Sequence, residues 1–599
     1  MTAWLLVAFL FAAPAAADEW HFEDVERTVA LSDIHGAYAP MLRTLQAAAV
    51  IGADHEWVAG KTHLVIVGDI TDRGPDSRQA MDLLMRLEGE AEAAGGRVHV
   101  LVGNHEVMNL VSDLRYVSRA EYAAFAGEER AEDRQHWFEQ FVAKRADAGK
   151  SRQELSELFA RSFPPGFFAH RRAFSSTGKY GRWLLDKPIM VVINGTAFVH
   201  GGVSPMIEEL GLDGVNGTLR GEVRRYVEAL GKLYSAGVLL PTDNFYNHPA
   251  ILDSFVPSLD ADEELLRTIA SAKKLNGSRV HAPDGPLWYR GNASCSELVE
   301  ADQLEAVLAS IGAERVVIGH TPTYGRRIYQ RYGGTVIEVD TGMFADYYNG
   351  SGNAVVLEND SVAVINESGP EPRQIVAAPR RVGQRPAGYL EAGDIERLLA
   401  TGEILAEAEG ENGSAVVTVS DGEHTLEAVF ARRSGRGVYP EAAAYRLDRL
   451  LGLDMVPVAV PRTLGRSEGT LQFLVPGSVD EAVRAEKGYG ASAQCPLPGQ
   501  WDAMLVWDTL IYNEGRFRQT MRYSPDTWQL LLVGHDEAFS TSKGRPAHVE
   551  SQPLTLNNRW RRALEALTDE VLNERLGSVL DKRRIRALAA RRDELLSQP

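Results

Sequence analysis

Five short polar motifs follow one another along the chain, and their residue types point to metal chemistry. They are Asp33-Ile34-His35-Gly36, Gly68-Asp69-Ile70-Thr71-Asp72-Arg73-Gly74, Gly103-Asn104-His105-Glu106, His200-Gly201-Gly202 and Gly319-His320-Thr321. Carboxylate, imidazole and amide oxygen together suit a borderline divalent cation such as Mn, Fe or Zn, and the imidazoles are too many for Ca. The inventory serves two ions. Asp33 and His35 can hold the first, Asn104, His200 and His320 the second, and Asp69 can bridge them. Two cations about 3.5–4 Å apart clamp a phosphate and lower the pKa of the water between them, which supplies a hydroxide nucleophile near neutral pH. An in-line displacement also needs an acid for the leaving alkoxide. His105 follows a ligand directly, and Asp72 lies three residues past Asp69. An Asp behind a His fixes its tautomer and favours the protonated form that an acid needs.

Such residues work only if something brings them together. Each motif follows a short apolar run: Val29-Ala30-Leu31, Leu64 to Val67, Val98 to Val102, Thr196 to Val199 and Val316 to Ile318, with a sixth run at Val336 to Val339. These read as buried strands, and Pro40 to Ala49 and Arg78 to Ala93 read as helices between the first of them. The pattern is α/β, layered sheets with helices outside, and in such sheets ligands bind at the carboxyl ends of strands. Residues 113–170 form a helical, charged insertion, a candidate lid or recognition element. His63 and His99 read as core or edge histidines, and the pairs Asp113 with Arg115 and Glu128 with Arg130 as solvated helix charges.

The chain has 599 residues, too many for one ordinary domain, and a formal net charge of −19 that disfavours a general nucleic-acid binder. A phosphate site must therefore carry its own local positive charge. Trp4 to Ala13 is apolar and Ala15-Ala16-Ala17 supplies a small-residue cleavage site, so residues 1–17 read as a signal peptide, although no Lys or Arg precedes the apolar run. No later run reads as a membrane span. The expectation is a periplasmic or secreted protein. Residues 18–368 form the metal-binding domain, 369–389, with four prolines, a linker, and 390–599 a second domain.

The motifs resemble those of the calcineurin-like metallophosphoesterases, and Arg73 in the second motif resembles the phosphoprotein phosphatase branch. At finer grain, Gly103 to Asn109, His200 to Pro205, Gly285 to Arg290 and Gly319 to Thr321 resemble the Shewanella-like protein phosphatases. The resemblance covers about residues 25–367 and implies a four-layer αββα sandwich with the ligands assigned above. It further implies that Arg73 and Arg290 bind the substrate phosphate, where two guanidinium groups can grip phosphate oxygens bidentately. Trp288 and Tyr289 can wall the pocket or simply pack. A phosphoprotein is the leading substrate, with a phosphotyrosine preference implied by the family. The alternatives are small phosphates such as nucleotides or dinucleoside polyphosphates, and a secreted binding protein whose metal site is structural.

Two cysteines, Cys295 and Cys495, exclude a disulfide scaffold. In an oxidising compartment they can pair or stay free, and pairing would contribute about 3–5 kcal/mol in the chain-entropy picture. In the last domain, Glu441 to Leu453 and the run Asp536-Glu537-Ala538-Phe539 resemble atypical kinases allied to phosphatidylinositol kinases and secreted protein kinases, giving an α+β kinase-like expectation. The residues such a kinase needs are missing. Ala431 stands where a phosphate-binding Lys belongs, the catalytic loop reads Asn513-Glu514-Gly515-Arg516, and Gly534 replaces the metal-binding Asp. The expectation is a pseudokinase-like module that binds a protein partner, unless Arg432 or Asp536 serves through a shifted register.

Overall fold

Period-two alternation sorts the apolar residues of the first region onto the two faces of each strand. The structure, a computed structural model, describes residues 19–598 apart from 146–148, 257–261, 360, 380–389, 411–414, 434, 436 and 491–493. The expected signal peptide therefore lies outside the described residues. Arg27–Leu31, His63–Ile66 and Arg97–Val100 run parallel in one sheet, which Asn353–Glu358, Ser361–Asn366 and Gly369–Gln374 extend antiparallel on the other side. A second sheet of seven strands has Thr196–Val199, Arg315–Ile318 and Val336–Glu338 as parallel neighbours at its centre. Ala30, Val65, Val191, Phe198, Val317 and Ile337 belong to the cluster shared by the two sheets. Their neighbours in sequence, Val29, Leu64, Val192, Val199, Val316 and Val336, fall in another cluster with helix residues such as Leu45, Leu84, Leu87, Leu304 and Val307. Strands buried on both faces thus give helix, sheet, sheet, helix, the αββα sandwich.

All six expected strands form, and so do the two expected helices, as Tyr38–Ala47 and Ser77–Ala93. The insertion is helical: Arg119–Ala123, Ala131–Ala143 and Arg152–Ser162 pack with Phe167–Ala173 around their own cluster of Tyr122, Phe141, Phe159, Phe167 and Phe168. The stretch read as a linker needs correction at its start. Gly369–Gln374 pairs with Ser361–Asn366 in the first sheet, and Val376–Ala377 pairs with Tyr329–Arg331 in the second. Backbone pairing at sheet edges overrode a proline-rich composition, because edge strands tolerate proline. Residues 380–389 lie outside the described residues.

Beyond them a separate core forms around Trp507, Leu447, Val417 and Phe539. A five-stranded antiparallel sheet holds the hairpin Ala415–Ser420 and Thr425–Arg432, with Gly422 at φ 92° in its turn. The helix Pro440–Leu451 packs beside it, and Leu497–Ile511 forms a second long helix. The Cys295–Cys495 disulfide joins this region to the first across 200 residues of chain, with the Cα atoms 5.1 Å apart. Asn557 and Arg559 reinforce the junction by bonding Leu298 O and the Glu297 carboxylate, both at 2.9 Å. No helix among the described residues is long and apolar enough to cross a membrane.

Candidate active site

The five motif loops meet at one point because each leaves the carboxyl end of its strand on the same side of the sandwich. The turns needed to aim their side chains are tight. Asp33, His35, Asp69, Asp72, Arg73 and His320 all have positive φ, between 47° and 75°. Six non-glycine residues in the left-handed region within one site store backbone strain, which persists only where the surroundings over-determine it. Gly68, at φ 84°, permits a closer approach still. A Cβ there would stand 2.7 Å from Gly103 Cα and 2.8 Å from His200 Nδ1.

Glu106 ties the loops together. Its buried carboxylate accepts from the backbone N–H of Gly103 and Asp69 at 2.9 Å, of Ile70 at 2.8 Å and of Thr71 at 3.1 Å. The Asp69 carboxylate consequently sits at the centre. Its Oδ2 lies 3.7 Å from His35 Nε2, 3.3 Å from His200 Nε2 and 3.8 Å from His105 Nε2. Asp33 Oδ1 is 3.9 Å from His35 Nε2, and Asn104 Oδ1 is 2.9 Å from His200 Nε2. Two groups have ligand atoms close enough to share a cation: His35, Asp69 and His105, and Asp69, His200 and His320. Asp69 belongs to both, whereas Asp33, expected beside His35, falls in neither and His105 takes its place in the first group.

The donor set fits divalent cations. His320 Nε2 is buried without a hydrogen-bond partner among the described residues, as a lone pair reserved for a ligand would be. His35 Nδ1 and His200 Nδ1 bond the carbonyls of Thr71 and Val67, which leaves Nε2 of each for a metal. Burial, then the neighbouring cations, holds His35 and His320 well below the usual imidazole pKa, so both are neutral. Burial, then the Asp340 carboxylate, pushes Asp33 well above the usual carboxylate range. Carboxylates crowded out of water in this way gain most from a cation between them.

His105 differs from the other imidazoles. Its Nδ1 meets Asp72 Oδ2 at 2.6 Å, and Asn109 Nδ2 donates to the other Asp72 oxygen at 2.7 Å. Burial alone would lower its pKa, but Asp69 and Asp72 overcome it and hold His105 above the usual value. Asp69 and Asp33 likewise overcome burial at His200 and push it up to about 9, so the Asp72 partner, rather than the raised pKa, is what sets His105 apart.

Residues 26–324 match the calcineurin-like phosphoesterase family. This is a calcineurin-like phosphoesterase domain, and the protein is a phosphoesterase. The chain is 30% identical to Shewanella-like protein phosphatase 2 of Arabidopsis thaliana over 218 residues, 34% of this chain and 54% of that one. It is 23% identical to Shewanella-like protein phosphatase 1 of Plasmodium berghei over 341 residues, 57% of this chain and 74% of that one. Among solved structures it is similar to the cold-active protein-tyrosine phosphatase of a psychrophilic Shewanella species, at 25% identity and TM-score 0.40, covering 59% of this chain and 82% of that one.

The phosphoesterase domain positions both sequence-predicted arginines at the site. Arg73 Nη2 lies 3.3 Å from His105 Nε2, and Arg290 Nη1 donates to His320 O at 2.7 Å and to Thr321 Oγ1 at 3.0 Å. Of the two aromatic residues before Arg290, Trp288 sets its ring edge-on to His320 with centroids 5.8 Å apart, whereas Tyr289 turns inward and bonds Glu300. His63 and His99 bond each other at the sheet, away from the loops, as core histidines do.

Sequence reasoning missed several residues. Asp340 stands at the end of the strand Val336–Glu338, buried, and its charge acts on Asp33 and Arg290. The strand-end rule, applied to the sixth run, would have found it. Tyr116, Tyr347 and Tyr348 surround Arg73, with ring centroids 5.2, 4.9 and 4.8 Å from its Cζ. Tyr347 is 61% exposed, so the aromatic group opens to solvent. Nothing in the spacing of these tyrosines signals a site.

Proposed function

We propose that this chain is an exported, dinuclear phosphatase that hydrolyses phosphate monoesters on proteins, with phosphotyrosine preferred. One observation carries the reading: His105, backed by Asp72, faces Asp69 and the Arg73 guanidinium inside a cage of three tyrosines. Asp33, His35 and Asp69 would hold one divalent ion and Asp69, Asn104, His200 and His320 the other, of the Mn, Fe or Zn type. When bound, the pair supplies charge to the phosphoryl oxygens and activates the attacking water. Arg73 and Arg290 grip the remaining phosphate oxygens, and the exposed face of Tyr347 offers a phosphotyrosine ring a stacking surface. His105 delivers a proton from Nε2 to the leaving oxygen, while Asp72 holds Nδ1 and stabilises the charged ring beforehand.

The same tyrosines can stack a nucleobase, so nucleotides and dinucleoside polyphosphates form the second reading. Phosphate release from phosphotyrosyl peptides, phosphoseryl peptides and diadenosine tetraphosphate with added Mn decides between them. The account expects the phosphotyrosyl peptide to give the highest kcat/KM; a dinucleotide at the top would replace it.

Export is supported by the cysteine pair, since structural disulfides persist in oxidising compartments. The expected product is a periplasmic or secreted chain beginning after Ala17, checked by mass. For residues 390–599 we propose a kinase-like module without catalysis that binds a protein partner. Glu441, the residue that would pair with a phosphate-binding Lys, instead accepts from His535 Nδ1 at 2.7 Å and from Gln472 Nε2 at 3.1 Å. Magnesium-dependent transfer from ATP that disappears with Asp536→Ala would overturn this part.

A further inference from the structure

The helical insertion and the helix Arg220–Ser235 enclose a cavity of about 340 Å³ at the C-terminal end of the helix Asn104–Val111, where Leu110 lines it. This volume lies in the range of small-molecule sites. Trp137, Phe168, Val227 and Leu230 give it apolar walls, Ser175, Tyr234 and Ser235 add hydroxyls, and one charged side chain is set deep among them. Arg171 is only 6% exposed. Its Nη1 donates to Asn109 O at 2.5 Å and its Nη2 to Ser112 Oγ at 2.9 Å. The Nε is buried and donates to no acceptor among the described residues. A guanidinium in apolar surroundings with a donor left over costs free energy unless an anion completes it. Farther out, Arg130 and Arg172 share the single carboxylate of Asp133, which leaves the lining net positive on a strongly acidic protein.

The geometry points to a binding site for a small amphipathic carboxylate of the medium-chain fatty-acid kind, its head on Arg171 and its tail along Trp137, Phe168 and Leu230. The apolar walls disfavour a bare inorganic anion, and the buried cation disfavours a neutral hydrocarbon. Occupancy is felt at the phosphoesterase centre through a short chain of bonds. Arg171 holds Asn109 O; Asn109 Nδ2 donates to Asp72 Oδ1 at 2.7 Å; Asp72 Oδ2 meets His105 Nδ1 at 2.6 Å. A head group that draws on the Arg171 guanidinium therefore acts on the helix that carries His105.

Calorimetric titration of the full-length protein with decanoate tests the site without relying on turnover. Binding in the submillimolar range is expected, with none for 1-decanol. Gly231 lines the cavity, and a Cβ there meets nothing within 4 Å, so Gly231→Leu fills space without displacing backbone. This variant is expected to keep its melting temperature and lose decanoate binding. Equal binding of decanoate and decanol, or undiminished binding by a folded Gly231→Leu protein, would overturn the assignment. With p-nitrophenyl phosphate, saturating decanoate is expected to shift kcat by about twofold or more at unchanged KM. An unchanged kcat at saturation would sever the link to His105.

Discussion

In the phosphoesterase domain, His320 Nε2 and Arg73 Nε lie buried with no hydrogen-bond partner among the described residues. In the C-terminal region, buried polar residues have paired with one another. Asp508 takes Arg516 with both carboxylate oxygens at 2.9 Å and adds His548 at 3.2 Å, while Asn513 Oδ1 accepts the Gly515 N–H at 3.1 Å. Glu441 accepts from His535 and Gln472. The first arrangement leaves strained, under-satisfied groups aimed at a common point, and binding energy must come from what fills it. The second is internally complete. Unspent bonding capacity, rather than the mere presence of Asp, His and Arg, distinguishes the first cluster from the second.

Substitutions on the two sides of this comparison should behave unequally. Asp69→Asn removes the carboxylate common to both ligand groups and is expected to lower phosphatase kcat by about 10³-fold or more. Glu441→Gln, in the other region, should leave turnover within about twofold. Comparable losses from both would erase the contrast. In stability the order reverses. Asp508→Asn leaves Arg516 charged and buried, and should cost the C-terminal region about 3–5 kcal/mol in denaturant unfolding. Arg516 and His548 overcome burial to hold Asp508 at a pKa of about 2, below its ordinary 3.8. A depressed carboxylate stabilises the fold above its unfolded pKa and ceases to do so as pH falls through the folded one. Roughly 2 kcal/mol should therefore be lost between about pH 4 and pH 2, and the loss should be absent in Asp508→Asn. Smallest is Arg73→Lys, which keeps the charge but not the planar fork among the tyrosines; KM for a phosphotyrosyl peptide should rise about tenfold with kcat changed less.

The site was legible in the sequence wherever chemistry and strand ends coincide. Asp33, His35, Asp69, Asn104, His200 and His320 each follow an apolar run, and strands carry no other obvious reason for such residues at their ends. Glu106 was visible only as a motif letter, because its main work is to receive the backbone N–H groups of Asp69, Ile70 and Thr71, far away in sequence. Tyr116, Tyr347 and Tyr348 come from the insertion and from the short helix Ala345–Tyr348 after the last motif, so only the tertiary fold brings them to Arg73. The edge strand Gly369–Gln374 was hidden by its prolines, and the helical block from Pro205 to Asn276 carries no polar motif to draw attention. In the C-terminal region the closure of Glu441 onto His535, 94 residues away, needs coordinates.

His105 shares a ligand-distance group with His35 and Asp69, yet its Nδ1 also meets Asp72, the pairing that the proposed acid needs. A leaving-group series separates the two roles. For His105→Asn, turnover of phenyl phosphate, whose leaving group needs a proton, is expected to fall about 10²–10⁴-fold, while 2,4-dinitrophenyl phosphate, whose leaving group does not, falls far less. An equal loss for both substrates, together with weakened Mn binding, would make His105 a metal ligand and contradict the account.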